Sequence, residues 1–148
     1  MSNRQELMDL VESQLRRVTT AVDRADQRAA LIFGVNRADL GLLDLLASRG
    51  AQTAGALARA AGITSGGMTS ALDRLGRAGY VKRQRHPTDR RSIVVQVTPA
   101  ISGPSQEAVG PLQVRMAKEL GRYRSGQLEI VALFLEHWGD AIEATLRT

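Results

Sequence analysis

A chain of 148 residues with 43% hydrophobic and 24% charged residues has the composition of one folded domain around a single core, not of a disordered arm. With no cysteine, disulfides, thiolate metal sites and thiol redox chemistry are excluded. The net charge of +5 is concentrated: Arg74, Arg77, Lys82, Arg83, Arg85, Arg90 and Arg91 face only Asp89 within residues 74–91, a local balance of +6 that leaves the rest of the chain at −1. A nearly neutral body with one basic segment points to a polyanion met at one place. The opening residues lack the basic and apolar regions of a signal peptide, and no apolar run reaches the length of about 18 residues expected of a membrane span. A cytoplasmic protein without a membrane partner is expected.

The first helix is predicted over about Arg4 to Ala30, where Leu7, Val11, Leu15, Val18, Val22, Ala25 and Ala29 build one apolar stripe at helical spacing. Asn36 reads as the N-cap of a second helix that holds Leu40, Leu42, Leu43, Leu45 and Leu46 and ends at Gly50. Thr53 caps a short third helix over Ala54 to Ala61, stopped by Gly62, and a fourth follows over Ile63 to Ala78, capped by Thr64 or Ser65 and closed by Gly79. Tyr80–Arg85 and Ser92–Thr98 read as two strands joined through the turn residues His86, Pro87, Thr88, Asp89 and Arg90. Pro99, Gly103 and Pro104 break the chain before a fifth helix from about Ser105 to Gly121, which Pro111 should kink. A last helix over Ser125 to Leu146 sets Leu128, Val131, Leu135, Trp138, Ile142 and Leu146 on one face. The two terminal stripes exceed what the intervening residues can cover, so a second subunit is expected to bury them.

Helix, glycine-containing turn, helix and basic hairpin, in that order, make a winged helix-turn-helix, whose second short helix enters the major groove of duplex DNA. Ala54–Ala61 would support and Thr64–Ala78 would read. The first turns of the reader, Thr64, Ser65, Gly66, Gly67, Met68, Thr69 and Ser70, are mostly small, which lets backbone N–H groups and hydroxyls approach phosphate oxygens at the positive end of the helix dipole. Leu72 and Leu75 would face the core, Asp73 and Arg77 would form a surface pair one turn apart, and Arg74, almost three turns in, suits a phosphate contact better than a base. Arg77 and Arg85 complete the basic flank.

The stretch Leu57-Ala58-Arg59-Ala60-Ala61-Gly62-Ile63, followed by Met68-Thr69-Ser70-Ala71-Leu72-Asp73-Arg74-Leu75, Ala78-Gly79-Tyr80-Val81 and Thr88-Asp89-Arg90-Arg91, resembles the DNA-binding half of the multiple-antibiotic-resistance regulator (MarR) family. Asp89-Arg90-Arg91 before a β-branched strand is the most specific piece. The resemblance implies a mainly α fold with a small β-hairpin wing: one domain over residues 1–148, a winged lobe over 36–99, and dimerisation helices over 1–35 and 100–148. It also implies a homodimer that binds double-stranded DNA in a sequence-specific way and acts as a transcription regulator, a repressor responsive to a small-molecule effector of unstated identity. By the same match Arg91 is the wing arginine in the minor groove, Arg90 lies near the backbone, and Asp89 orients the wing by an ion pair. Many relatives carry a larger polar or basic residue where this chain has Ser70, so sequence choice would rest more on DNA shape.

Nothing in the sequence suggests an enzyme. His86 and His137 have no metal-ligand spacing to each other, there is no nucleophile–base pattern or phosphate-cradling loop, and neither metal nor cofactor is expected. His86 reads as a turn residue and His137 as a packed interface residue. Phe33, Leu42 and Met116 are candidates for an effector cleft, against their ordinary reading as core. The alternative to DNA binding is a winged-helix protein-interaction module, against which the basic segment argues.

Overall fold

In the computed structural model, which describes residues 3–147, the order is α1 (Asn3–Phe33), α2 (Arg37–Arg49), β1 (Gln52–Thr53), α3 (Ala54–Ala61), α4 (Ser65–Arg77), β2 (Val81–Arg85), β3 (Ile93–Val97), a 3₁₀ turn (Pro99–Ile101), α5 (Ser102–Leu120) and α6 (Ser125–Leu146). Residues 1, 2 and 148, the ends of the expected domain, lie outside the described residues. The chain forms two compact units that part between Val109 and Gly110, within α5 and just before Pro111.

The first unit is organised by its caps. Asn36 Oδ1 accepts the Asp39 N–H at 2.8 Å, Thr53 Oγ1 that of Ala56 at 3.1 Å, and Thr64 Oγ1 that of Gly67 at 3.1 Å, each satisfying a donor that the helix itself cannot pair. Thr64, not Ser65, is therefore the cap of α4. At the other ends of α3 and α4 the backbone turns at φ +67 in Gly62 and +81 in Gly79, conformations that cost a side-chain-bearing residue about 1–2 kcal/mol. These two turns set α4 against α3 and send the chain directly into the wing.

Leu57, Leu75 and Val95 are wholly buried, with Leu46, Met68 and Leu72 close behind, so α2, α3, α4 and the sheet share one core. Each such side chain contributes about 1.5–3 kcal/mol of transfer free energy. The C-terminal end of α1 joins this core through Ala30 and Phe33. The Phe33 ring meets Tyr80 edge-on at a centroid distance of 5.3 Å, while the Tyr80 hydroxyl donates to the Phe33 carbonyl at 2.8 Å. Phe33 and Leu42 are thus core side chains, whereas Met116 is exposed.

The wing is a three-stranded antiparallel sheet in the order β1-β3-β2, with Val81 opposite Val97, Arg83 opposite Val95 and Arg85 opposite Ile93. The sequence reading omits β1, because a two-residue strand is defined only by its distant partners Val94 and Val95. It also starts α5 too late: Pro99 does break the chain, but Gly103 and Pro104 lie inside the first turn of α5. A proline is tolerated there because the first N–H groups of a helix have no intrahelical partner.

In the second unit, α6 has no buried residue. Val131, Leu135, Trp138 and Ile142 on α6, like Leu7, Val11, Val18 and Val22 on α1, are between 41% and 56% exposed. No described helix is long and apolar enough to cross a membrane.

Candidate nucleic-acid interface

The N-terminal turns of α4 present Ser65, Gly66, Gly67, Thr69 and Ser70 to solvent. The two adjacent glycines have different grounds. A Cβ on Gly67 would sit 3.2 Å from the capping Thr64 Oγ1, so its bareness serves the cap, whereas a Cβ on Gly66 would meet nothing within 4 Å. No contact among the described residues accounts for Gly66. Thr69 donates its hydroxyl to the Ser65 carbonyl at 3.0 Å, which leaves its oxygen free to accept.

Met68 belongs elsewhere. It is 2% exposed and packs with Ala71, Leu72 and Leu75, so its place among the DNA-contacting residues is corrected to the core. The signal was in the sequence, where Met68, Leu72 and Leu75 follow a spacing of four and three.

Arg74 also has a task within the chain. Its Nε and Nη2 fork onto the two carboxylate oxygens of Asp39 at 2.8 and 2.9 Å, and this buried Asp39 side chain sits in the first turn of α2. In the free chain Arg74, expected at a phosphate, thus makes a bidentate tie between α4 and α2 with its side chain half exposed. Thirty-five residues separate the partners, so no local spacing announces it. The Asp73–Arg77 pair is likewise replaced: Asp73 binds Arg83 at 2.9 Å and fastens α4 to β2.

Two of the seven cations in residues 74–91 are thus engaged within the lobe. Arg77, Lys82, Arg85, Arg90 and Arg91 make no ion pair among the described residues and are exposed. They flank the small-residue face of α4 or stand on the wing.

The wing tip is held by its own backbone. His86 N–H donates to the Ser92 carbonyl and Ser92 N–H to the Asp89 carbonyl, both at 3.0 Å. Asp89 accepts the Ser92 hydroxyl at 2.7 Å and the Arg91 N–H at 3.0 Å. These bonds, the hydroxyl first, hold the Asp89 carboxyl below the ordinary carboxylate range. Asp89 therefore orients the wing through hydrogen bonds to the turn, and the ion pair expected of it is not present among the described residues. The His86 ring also takes part, which the turn composition alone did not single out: its Nδ1 faces the N–H groups of Thr88 and Asp89 at 3.3 and 3.1 Å. Among the described residues there is no cluster of acidic, histidine or cysteine side chains suited to a metal ion.

A model described as the MarR family matches residues 33–92, the stretch from the end of α1 through the wing tip. The helix-turn-helix (HTH)-type transcriptional regulator YcgE of Bacillus subtilis (strain 168) is 30% identical over 145 residues, covering 98% of this chain and 94% of its own length. Among solved structures, a mutant of MepR from a multidrug-resistant S. aureus clinical isolate superposes with a TM-score of 0.73 at 13% identity, over 89% of this chain and 96% of that one. Apo wild-type MarR from E. coli gives 0.59 at 21% identity, over 85% and 93%. These two likenesses establish the fold, and the near full-length match to YcgE extends the relation along the whole chain. The chain belongs to the MarR family of DNA-binding helix-turn-helix transcription regulators.

Proposed function

We propose that the protein regulates transcription as a homodimer that binds a pseudo-palindromic duplex site, with the first turns of α4 in the major groove and the wing tip in the flanking minor groove. The observation that carries this reading is the division of the basic segment. Arg74 and Arg83 are engaged by Asp39 and Asp73, while Arg77, Lys82, Arg85, Arg90 and Arg91 stand free around a helix start built of small residues. Thr64, Ser65, Gly66 and Gly67 would position the phosphate backbone, and Thr69 and Ser70 would face base edges. Arg91 would occupy the minor groove, where a narrow A·T tract concentrates negative potential.

The uncovered apolar side chains of α1 and α6 support the dimer, in which a second copy would supply cover. In this reading residues 36–99 form the DNA-binding lobe and residues 1–35 and 100–148 the dimerisation helices. Occupancy of a site that overlaps a promoter excludes other proteins from it, so repression is the proposed direction. A small molecule favouring a spacing of the two reading helices that does not fit DNA would relieve it.

The test is a salt titration of duplex affinity. The logarithm of affinity should fall against the logarithm of salt with a slope of about −0.9 for each phosphate neutralised, and Arg91→Ala should weaken binding to most sites and shift preference away from narrow-groove A·T flanks. Thr69→Ala should instead cost about 1–3 kcal/mol at particular base pairs only. A salt-insensitive affinity, or an Arg91→Ala protein that is folded, dimeric and unchanged in affinity, would sink the proposal.

A further inference from the structure

His86 stands at the junction of β2 and the wing tip, and its ring does there what a carboxamide does in a capped turn. Nδ1 lies 3.1 Å from the Asp89 nitrogen and 3.3 Å from both the nitrogen and the hydroxyl oxygen of Thr88. A backbone N–H can only donate. The ring nitrogen that receives two of them must therefore carry a lone pair, which places the proton of the neutral ring on Nε2. Around this point the Arg91 N–H and the Ser92 hydroxyl close on Asp89, so the loop that carries Arg90 and Arg91 is bonded from both sides.

We infer that His86 is the positioning residue of the wing tip: as a neutral Nε2–H imidazole it caps the Thr88 and Asp89 amides, helps hold Arg90 and Arg91 in place, and releases those two amides when it takes a proton. Protonation turns Nδ1 from acceptor to donor and sets it against two donors, so the cap exists at high pH and is lost as the ring becomes charged. The charged groups nearby oppose one another. Asp89, the only acid in residues 81–97, attracts the protonated ring, while Arg85, Arg90 and Arg91 disfavour it; on α4, packed against the wing, Asp73 is engaged by Arg83. The consequence for DNA rests on the proposed role of the wing, but the cap is a property of the free protein.

Two measurements on the full chain separate these. Long-range proton–nitrogen spectra at about pH 8 should show the Nε2–H tautomer for His86, with Thr88 and Asp89 amides protected from exchange; at about pH 5.5 that protection should drop relative to the amides of β3. His86→Asn offers a carbonyl oxygen that does not titrate and should keep the two amides protected at both pH values, whereas His86→Ala should protect them at neither. At about pH 8 His86→Ala should bind duplex about fivefold more weakly, the loss of about one capping bond, and His86→Asn should restore the affinity. An Nδ1–H tautomer at the higher pH, equal protection in His86→Ala, or an affinity unchanged by His86→Ala where Arg91→Ala lowers it, would overturn the inference. If the amides respond as stated but neither His86→Ala nor Arg91→Ala affects DNA, the cap stands and the role of the wing on DNA fails.

Discussion

The winged lobe and the terminal helices manage their apolar residues in opposite ways. In the lobe, Leu57, Leu75 and Val95 are sealed from solvent by neighbours drawn from α2, α3, α4 and the sheet. On α6 the residues of the apolar stripe are all partly or largely exposed, and α1 buries only Ala30 and Phe33, at the end that reaches the lobe. The lobe is a finished core; the terminal helices carry the same type of side chain without the cover that would make it stabilising. The lesson is that folding and assembly are encoded by the same periodicity, and only the presence or absence of facing residues tells them apart.

Substitutions can break this contrast. Leu57→Ala should cost about 2–5 kcal/mol of stability, because it removes a side chain from a filled core, and chemical denaturation should show the loss at any protein concentration. Leu135→Lys should leave the lobe fold intact and shift the protein from dimer to monomer in sedimentation, with specific DNA binding lost alongside. Equal destabilisation of the monomeric fold by both changes would erase the distinction.

A smaller effect sharpens the lobe side. Arg74→Ala leaves the Asp39 carboxylate buried without its partner, so it should lower the melting temperature of the protein, and Asp39→Asn in the same chain should recover part of the loss. Were Arg74 instead a phosphate contact, stability would stay the same and only the salt dependence of DNA binding would change.

The smallest effect lies in the wing tip. Because the Asp89 carboxyl is held below its ordinary range, the bonds it makes are fully present above that range and disappear as pH falls through the lowered folded value. Amide protection of Arg91 should therefore persist at neutral pH and be lost only in acid, as Asp89 takes a proton. Loss of Arg91 protection in step with the Thr88 and Asp89 amides would mean that one titration governs the whole tip.

Local features were legible in the sequence and distant ones were not. Asn36, Thr53 and Gly62 announced their helix ends because a cap is a relation between residues three or four apart, and the β-branched run Ile93–Val97 announced its strand. The start of α5 was misplaced by a rule applied without position, since Pro104 breaks a helix interior but not its first turn. Within the candidate interface, the packing sorts the cations and the apolar residues in a way the sequence alone does not. Whether a cation is free depends on acids brought near by the fold, and neither Asp39 beside Arg74 nor Asp73 beside Arg83 is visible until the helices pack. The His86 cap falls between these cases: its reach to residues two and three ahead is local, but it is the spacing usual for asparagine and aspartate, and a histidine there is easily passed over.

Hydroxyl-radical footprinting on a duplex selected from genomic fragments tests the central claim most directly. A dimer that reads with α4 and the wing predicts two protected half-sites about one helical turn apart, roughly 34–36 Å, with minor-groove protection outside each that Arg91→Ala removes. A single protected half-site, or a footprint that Arg91→Ala leaves intact, would contradict it.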